Sequence, residues 1–153
     1  MDWKEVNTRH CGVAAATGIV GDRWTQLILR DVFAGVRRYS DLLDHLGVST
    51  AVLADRLGKL VDHGILAKVP YQTEGRRHRY EYQLTERGFG LLYVQLALAE
   101  FGYEHLVDDE NRLVSMFDRD TGQRVTVGLV REDGTPVDLG SLELRINEES
   151  AAG

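Results

Sequence analysis

The sequence predicts an α+β chain: a helical body, a two-stranded hairpin, a long helix and a small β-rich C-terminal extension. Three observations carry this. First, Ser40 to Gly64, SDLLDHLGVSTAVLADRLGKLVDHG, has the form of two short helices joined by a tight turn. Second, the hydrophobic period changes after Gly64 from the 3.6 of a helix to the 2 of a strand, in ILAKVPY and again in RYEYQL. Third, the last third of the chain loses helical periodicity and gains turn signals, Asp120-Thr121-Gly122 and Glu132-Asp133-Gly134.

Cys11 to Val20, CGVAAATGIV, is small and apolar and suits a short helix packed closely on another backbone. Gly21 breaks it and Asp22 caps the next, in which Trp24, Leu27, Ile28 and Val32 form one stripe and Leu29 and Phe33 a neighbouring one. So much apolar circumference marks a central core helix. Arg37-Arg38-Tyr39 then leads, as a very short strand, into the helical pair. The first helix of the pair spans about Asp41 to Leu46, with Ser40 as its cap and Gly47 supplying the turn. Ser49 caps the second, in which Leu53, Leu57, Leu60 and Val61 fall at helical spacing. Helix, three-residue turn, helix is the helix-turn-helix pattern, whose second helix can enter a DNA major groove. An ordinary helical hairpin in a core would look the same at this level.

The residues after Gly64 separate the two. Ile65 to Tyr71 and Arg79 to Leu84 are strand candidates, and Pro70 assigns the first to an edge. The turn between them, QTEGRRH, places Arg76, Arg77, His78 and Arg79 at a hairpin tip beside the second helix. Helix-turn-helix plus basic hairpin is a winged helix, and cations so placed suit phosphate contact better than a merely solvated loop. Thr85 caps a helix expected from Glu86 to about His105. It carries two apolar stripes, Phe89/Leu92/Leu96/Ala99/Tyr103 and Leu91/Val94/Leu98/Phe101, and the second calls for a partner chain or for cover by the tail.

The predicted organisation is a winged-helix DNA-binding and dimerisation domain over residues 1–107 and an acidic β-rich extension over 108–153 with a disordered end. The strands of the extension are expected in RLVSMF, RVTVGLV and LELRI, docked on a surface. Charge supports the division. Residues 1–107 hold 13 Lys+Arg and 13 Asp+Glu, whereas residues 108–153 hold 5 and 11, so the whole net charge of −6 lies in the extension. A neutral body still binds phosphates when its cations share one face.

A wheel of about 100° per residue puts Ala51, Val52, Asp55, Gly58, Lys59 and Asp62 opposite the Leu53/Leu57/Leu60 stripe. Thr50 and Ala51 lie in the first turn, the part that usually reaches base edges. Val52 suits a thymine methyl, and Asp55 suits either a cytosine amino group or the orientation of Arg56. Arg38, Arg56 and Lys59 suit phosphates, as do Ser40 and Ser49 at helix N-termini. Asp62 reads as a solvated face.

The order of elements resembles the HxlR-type family of bacterial winged-helix transcriptional regulators over residues 10–105. The matching residues are Cys11, Gly21-Asp22-Arg23-Trp24, Arg37 to Leu42, Gly47-Val48-Ser49, Leu53, Arg56-Leu57, Leu60, Gly64 and Tyr80 to Gly88. The N-terminus, MDWKEVNTRHC, carries no apolar signal segment, so a cytoplasmic protein is expected; the resemblance implies a homodimer, joined through the first and last helices of the domain. It implies a pseudo-palindromic double-stranded DNA operator and, often, a reactive small-molecule effector. It also implies that Cys11 is a candidate thiol sensor, against the plainer reading of a small apolar residue at a helix start. Members commonly carry Pro where this chain has Gly12, and basic residues where it has Ala51 and Gly58. The wing must then carry more of the phosphate contact. Thr121-Gly122 and Asp133-Gly134 stand where some longer relatives have Cys-Gly pairs, so neither metal nor cofactor is expected.

Two other function classes are excluded or kept open on the residues. An enzyme would rest on Cys11 with His10, yet the chain has no nucleophile elbow, phosphate loop or paired ligand spacing. A winged helix used only for protein contact remains the alternative, and it predicts no salt-dependent DNA binding. No apolar run approaches the roughly 20 residues of a membrane span.

Overall fold

The computed structural model describes residue 4 and residues 8–71 and 79–145. Six helices and two small sheets run in the order α1 (Gly12–Val20), α2 (Arg23–Phe33), α3 (Tyr39–Leu46), α4 (Thr50–Asp62), β1 (Leu66–Tyr71), β2 (Arg79–Leu84), α5 (Glu86–Phe89), α6 (Leu92–His105), β3 (Met116–Phe117) and β4 (Arg124–Val125). The chain divides into two compact units, one of Val13–Gln95 and one of Met1–Gly12 with Leu96–Gly153.

The first unit is built on α2. Its Ile28, Leu29 and Val32 are buried against Leu42 of α3, Leu53, Leu57 and Leu60 of α4, and Ile65, Leu66 and Tyr82 of the hairpin. Each such side chain contributes about 1.5–3 kcal/mol on full burial. Gly47 ends α3 in the left-handed conformation, φ 61°, and its N–H donates to the Leu43 carbonyl. Ser49 caps α4 by accepting from Val52 N at 3.3 Å. β1 and β2 pair antiparallel from Leu66↔Leu84 to Tyr71↔Arg79. The Arg37–Tyr39 segment adds a bridge, Arg38↔Glu81, on the outer edge of β2. The expected winged helix-turn-helix architecture is therefore present.

Thr85 locks the hairpin to α5. Its hydroxyl donates to Gly64 O at 2.6 Å and accepts from Gly88 N at 3.0 Å. Gly88 is pressed on β1: a Cβ there would lie 2.2 Å from Ile65 O, so only glycine allows this approach.

Three expectations for the helices are corrected. Ser40 does not cap α3. The helix starts at Tyr39 with Arg38 in the cap position and no side-chain cap bond, and the Ser40 hydroxyl donates to Asp41 instead. The strand-like bridge to Glu81 and the bond from Tyr82 N to Arg37 O (2.8 Å) fix the chain up to Arg38 and bring the helix start forward. The single helix from Glu86 to His105 is in fact two. Gly88 and Gly90, both poor helix formers, straddle Phe89, and α5 closes before α6 begins at Leu92. α1 is not packed closely: Val20 is its one buried residue and Val13 is 73% exposed.

The extension forms far less sheet than its patterning suggests. RLVSMF and RVTVGLV contribute only the two-residue strands β3 and β4, and LELRI forms none among the described residues. Val130 bridges Pro136 in isolation. Asp118 and Asp133 hold their turns through bonds from the backbone amides of Thr121 and Thr135, which lower both carboxyl pKa values. Leu113, Val125, Val127, Leu129, Leu142 and Leu144 are all exposed, so among the described residues the extension does not enclose its own patterned side chains. Within the second unit, Arg112 Nη1 reaches Glu100 Oε1 at 3.3 Å and stacks on Tyr103, while Arg124 lies 3.8 Å from the same carboxylate.

Candidate nucleic-acid interface

The helix-turn-helix geometry is held by contacts between its two helices and α2. Tyr39 Oη donates to Thr50 O at 3.0 Å, tying the start of α3 to the start of α4. On the other side Asp31 of α2 is buried, and both its oxygens are used. Arg30 takes Oδ1 at 2.7 Å and His45 of α3 takes Oδ2 at 2.6 Å. A buried carboxylate without such partners would be costly. These contacts leave one face of α4 to solvent: Thr50, Ala51, Ala54, Asp55, Gly58, Lys59 and Asp62 are exposed, with Val52 and Arg56 half-buried at its edge.

Charge on this face is paired. Asp55 Oδ2 receives Arg56 Nη1 at 2.8 Å and Lys59 Nζ at 3.0 Å. Arg56 also turns its Nε toward Asp22 Oδ1 at 3.0 Å. That nitrogen is buried and lies off the line of a hydrogen bond, so the contact to Asp22 is coulombic. Asp22 in turn caps α2, accepting from Thr25 N at 3.1 Å. Partial burial pushes the Asp22 carboxyl up in pKa, but the bonds from the Thr25 hydroxyl and amide, the Arg56 charge and the Trp24 amide together hold it below the usual carboxylate value. Of the cations expected at phosphates, Arg56 is thus committed within the chain, whereas Lys59 is over half exposed beside Asp55.

A second basic group forms at the hairpin. Arg38 stacks 4.8 Å from the Tyr71 ring, and Arg79 is paired across the hairpin from Tyr71. Lys68 lies 4.7 Å from the Tyr80 ring. Cation–aromatic stacking holds these long side chains out without removing their charge. Arg76, Arg77 and His78 lie outside the described residues. Ser40 is exposed on α3, and Ser49 keeps its own O–H free to donate while its oxygen caps α4. Cys11 is a half-buried free thiol. Sequence reasoning missed Asp22 as the partner of Arg56, and, though it placed Lys68 and Tyr71 on the first wing strand, it missed Lys68 as a wing cation and Tyr71 as the ring under Arg38. The strand alternation that exposes Lys68 could have found the last two.

Among the described residues no cluster of His, Cys, Asp or Glu is placed to hold a metal, and no helix is long and apolar enough to cross a membrane.

Residues 19–110 match the family described as HxlR-like helix-turn-helix. The chain is 37% identical over 118 residues to the uncharacterised HTH-type transcriptional regulator Rv3095 of Mycobacterium tuberculosis, a match covering 77% of this chain and 73% of that one. Its fold is similar to the crystal structure of PA1607, a candidate transcription factor, with TM-score 0.76 and 31% identity over 91% of this chain and 96% of the other. PA1374 of Pseudomonas aeruginosa, a second candidate transcription factor, aligns with TM-score 0.60 and 28% identity, covering 90% and 93%. The chain belongs to the HxlR-like helix-turn-helix family, a family of transcriptional regulators and not of enzymes. Coverage of 90% or more of this chain by both solved structures requires that most of the acidic extension be matched as well.

Proposed function

We propose that this protein is a sequence-specific regulator that binds double-stranded DNA as a homodimer on a pseudo-palindromic operator. α4 enters the major groove, and the β1–β2 wing lies along the backbone. The observation that supports this best is the solvent-facing side of α4, left bare while Tyr39, Asp31 and His45 brace the helix pair from behind. Arg38, Lys68 and Arg79 at the hairpin supply phosphate-facing charge. Two-fold symmetry is supported by helices that bury almost nothing in one chain: α6 has no buried residue, and its Tyr93, Leu98 and Phe101 are exposed. The first 107 residues act as the DNA-binding and dimerisation domain, and the extension adds to it. Cys11 is the thiol through which a reactive effector would act.

The test is a mobility-shift titration with the DNA upstream of the protein's own gene at several salt concentrations. Binding should weaken steeply with salt. Replacing Arg76 and Arg77 by Ala should weaken all sequences alike and lower the salt slope by about one unit per lost phosphate contact. An unchanged slope removes the wing tip from the interface. DNA binding indifferent to diamide or a quinone removes Cys11 as the sensor.

A further inference from the structure

We propose that Asp55 determines sequence specificity by accepting a hydrogen bond from the exocyclic amino group of a base, and that Arg56 is its positioning residue rather than a phosphate contact. The proposal rests on the DNA-binding reading above and names what the central face of α4 recognises.

The first support is the state of the Asp55 carboxylate. Both cations, Arg56 Nη1 and Lys59 Nζ, converge on Oδ2, and among the described residues no hydrogen bond is made to Oδ1. An unpaired carboxylate would be repelled by the phosphates lining a groove. Two neighbouring cations offset that repulsion and still leave one oxygen open as a pure acceptor. In the major groove, cytosine N4 and adenine N6 present donors, whereas guanine O6 and N7 and thymine O4 present acceptors. A group that can only accept therefore separates the first pair of bases from the second, and carboxylates most often take cytosine.

The second support is the surface around it. The neighbours of Asp55 within one turn on the exposed face are Ala51, Ala54, Gly58 and Lys59, the first three of them small. A Cβ added at Gly58 would meet nothing within 4 Å, and its backbone is not in the left-handed region. Packing within the chain gives no reason for a glycine in mid-helix, where it weakens the helix relative to alanine. Close approach of an outside surface gives one. With such small neighbours, a side chain as short as aspartate can reach a base edge.

The third support is the fixation of Arg56. Its side chain is only 26% exposed, with Nε 3.0 Å from Asp22 Oδ1 and Nη1 on Asp55. Asp22 is itself held as the cap of α2. Asp22, Arg56 and Asp55 thus form a line from the N-terminus of α2 to the centre of the recognition face, and the guanidinium is occupied along it.

The experiment is selection of sites from a random double-stranded DNA pool, then anisotropy titrations of the selected site and its single-base variants at several salt concentrations. Full-length wild type, D55A, D55N, R56Q, D22N and the D55A/R56Q double variant are compared. Wild type should prefer cytosine, or else adenine, at one position of each half-site. D55A should lose roughly 10- to 100-fold discrimination at that position alone, with the salt slope unchanged. D55N is nearly isosteric and should move the preference toward adenine, the base that an amide reads through N6 and N7. R56Q and D22N should blur the same position and keep the wild-type salt slope; Asn still caps α2, so D22N removes the charge and not the cap. The double variant should discriminate no worse there than D55A. A purely structural role for Arg56 would lower affinity at every position and leave base preference intact. The proposal is overturned if D55A and D55N select the wild-type site with wild-type discrimination, or if R56Q loses about one unit of salt slope, as a phosphate contact would. Those results fault Asp55 or Arg56 alone. A wild type that selects no sequence and binds without salt dependence overturns the DNA-binding reading itself.

Discussion

Val13–Gln95 and Leu96–Gly153 are both rich in apolar residues, yet they treat them differently. Every buried apolar side chain among the described residues lies between Val20 and Tyr82. Beyond Gln95 none is buried, and Leu106, Leu113, Leu139 and Leu144 stand more than 70% exposed. The first stretch encloses a core because α3, α4 and the hairpin surround α2, while Val13, Phe89, Tyr93 and Val94 towards its ends stay exposed. The second has one helix and two strands of two residues, too little structure to enclose anything. Isolated apolar residues at a surface are ordinary, whereas here they run across a whole unit. In the homodimer proposed above, a second copy of the chain would cover α6.

The strongest perturbation should come from the self-sufficient stretch. Leu57→Ala deletes a side chain that is 1% exposed, at the junction of α4 with α2, and should destabilise the fold by about 2–5 kcal/mol. Urea unfolding measures this, and a loss below about 1 kcal/mol would show that the core is looser than its burial implies. Next comes the stretch that needs a partner. Leu98→Asp should convert a dimer to a monomer, because the interface would have to bury an unpaired charge. Wild-type melting temperature should rise with protein concentration and that of the variant should not. A wild type that is monomeric by light scattering breaks the comparison at its root.

Smaller effects test how the second unit holds together. Glu100→Ala removes the carboxylate that Arg112 and Arg124 share, and since these groups are partly solvated the loss should be under about 1 kcal/mol. A loss of several kcal/mol would mean that the extension is braced through this one residue. The smallest effect concerns Asp22. Its folded pKa is depressed, so its contribution to stability is complete above the ordinary carboxylate value of 3.8 and is lost as pH falls through the lower folded value. Melting curves of wild type and D22N should therefore converge as the pH is taken below 3.8, and curves that stay parallel would show that Asp22 carries no linked proton.

The legible parts of the site were those with local causes. Gly47, Ser49 and the Leu53/Leu57/Leu60 spacing specify turn, cap and buried stripe within a few turns of chain, and all three stand as expected. The hairpin was legible too, because its alternation switches abruptly after Gly64. The expectations that failed had distant causes. Ser40 lost its capping role to an edge bridge with Glu81, some 40 residues away. The expectation that Arg56 suits phosphates is not among these, but its neighbour Asp22, at the head of another helix and 3.0 Å away, was not legible in the sequence.

The sequence by itself determined the helix-turn-helix, the hairpin after it, the central helix α2 and the acid balance of the extension, since each rests on spacing, turn chemistry or composition within a short stretch. Only the tertiary structure decided where α3 begins, that the long helix breaks at Gly90, which charges of α4 are engaged, and how little sheet the extension forms. Apart from the helix break, where Gly88 and Gly90 are themselves poor helix formers, each of those outcomes depends on what a group meets across space. A carboxylate that meets a guanidinium becomes part of a network, and an apolar alternation that meets no surface does not become a strand.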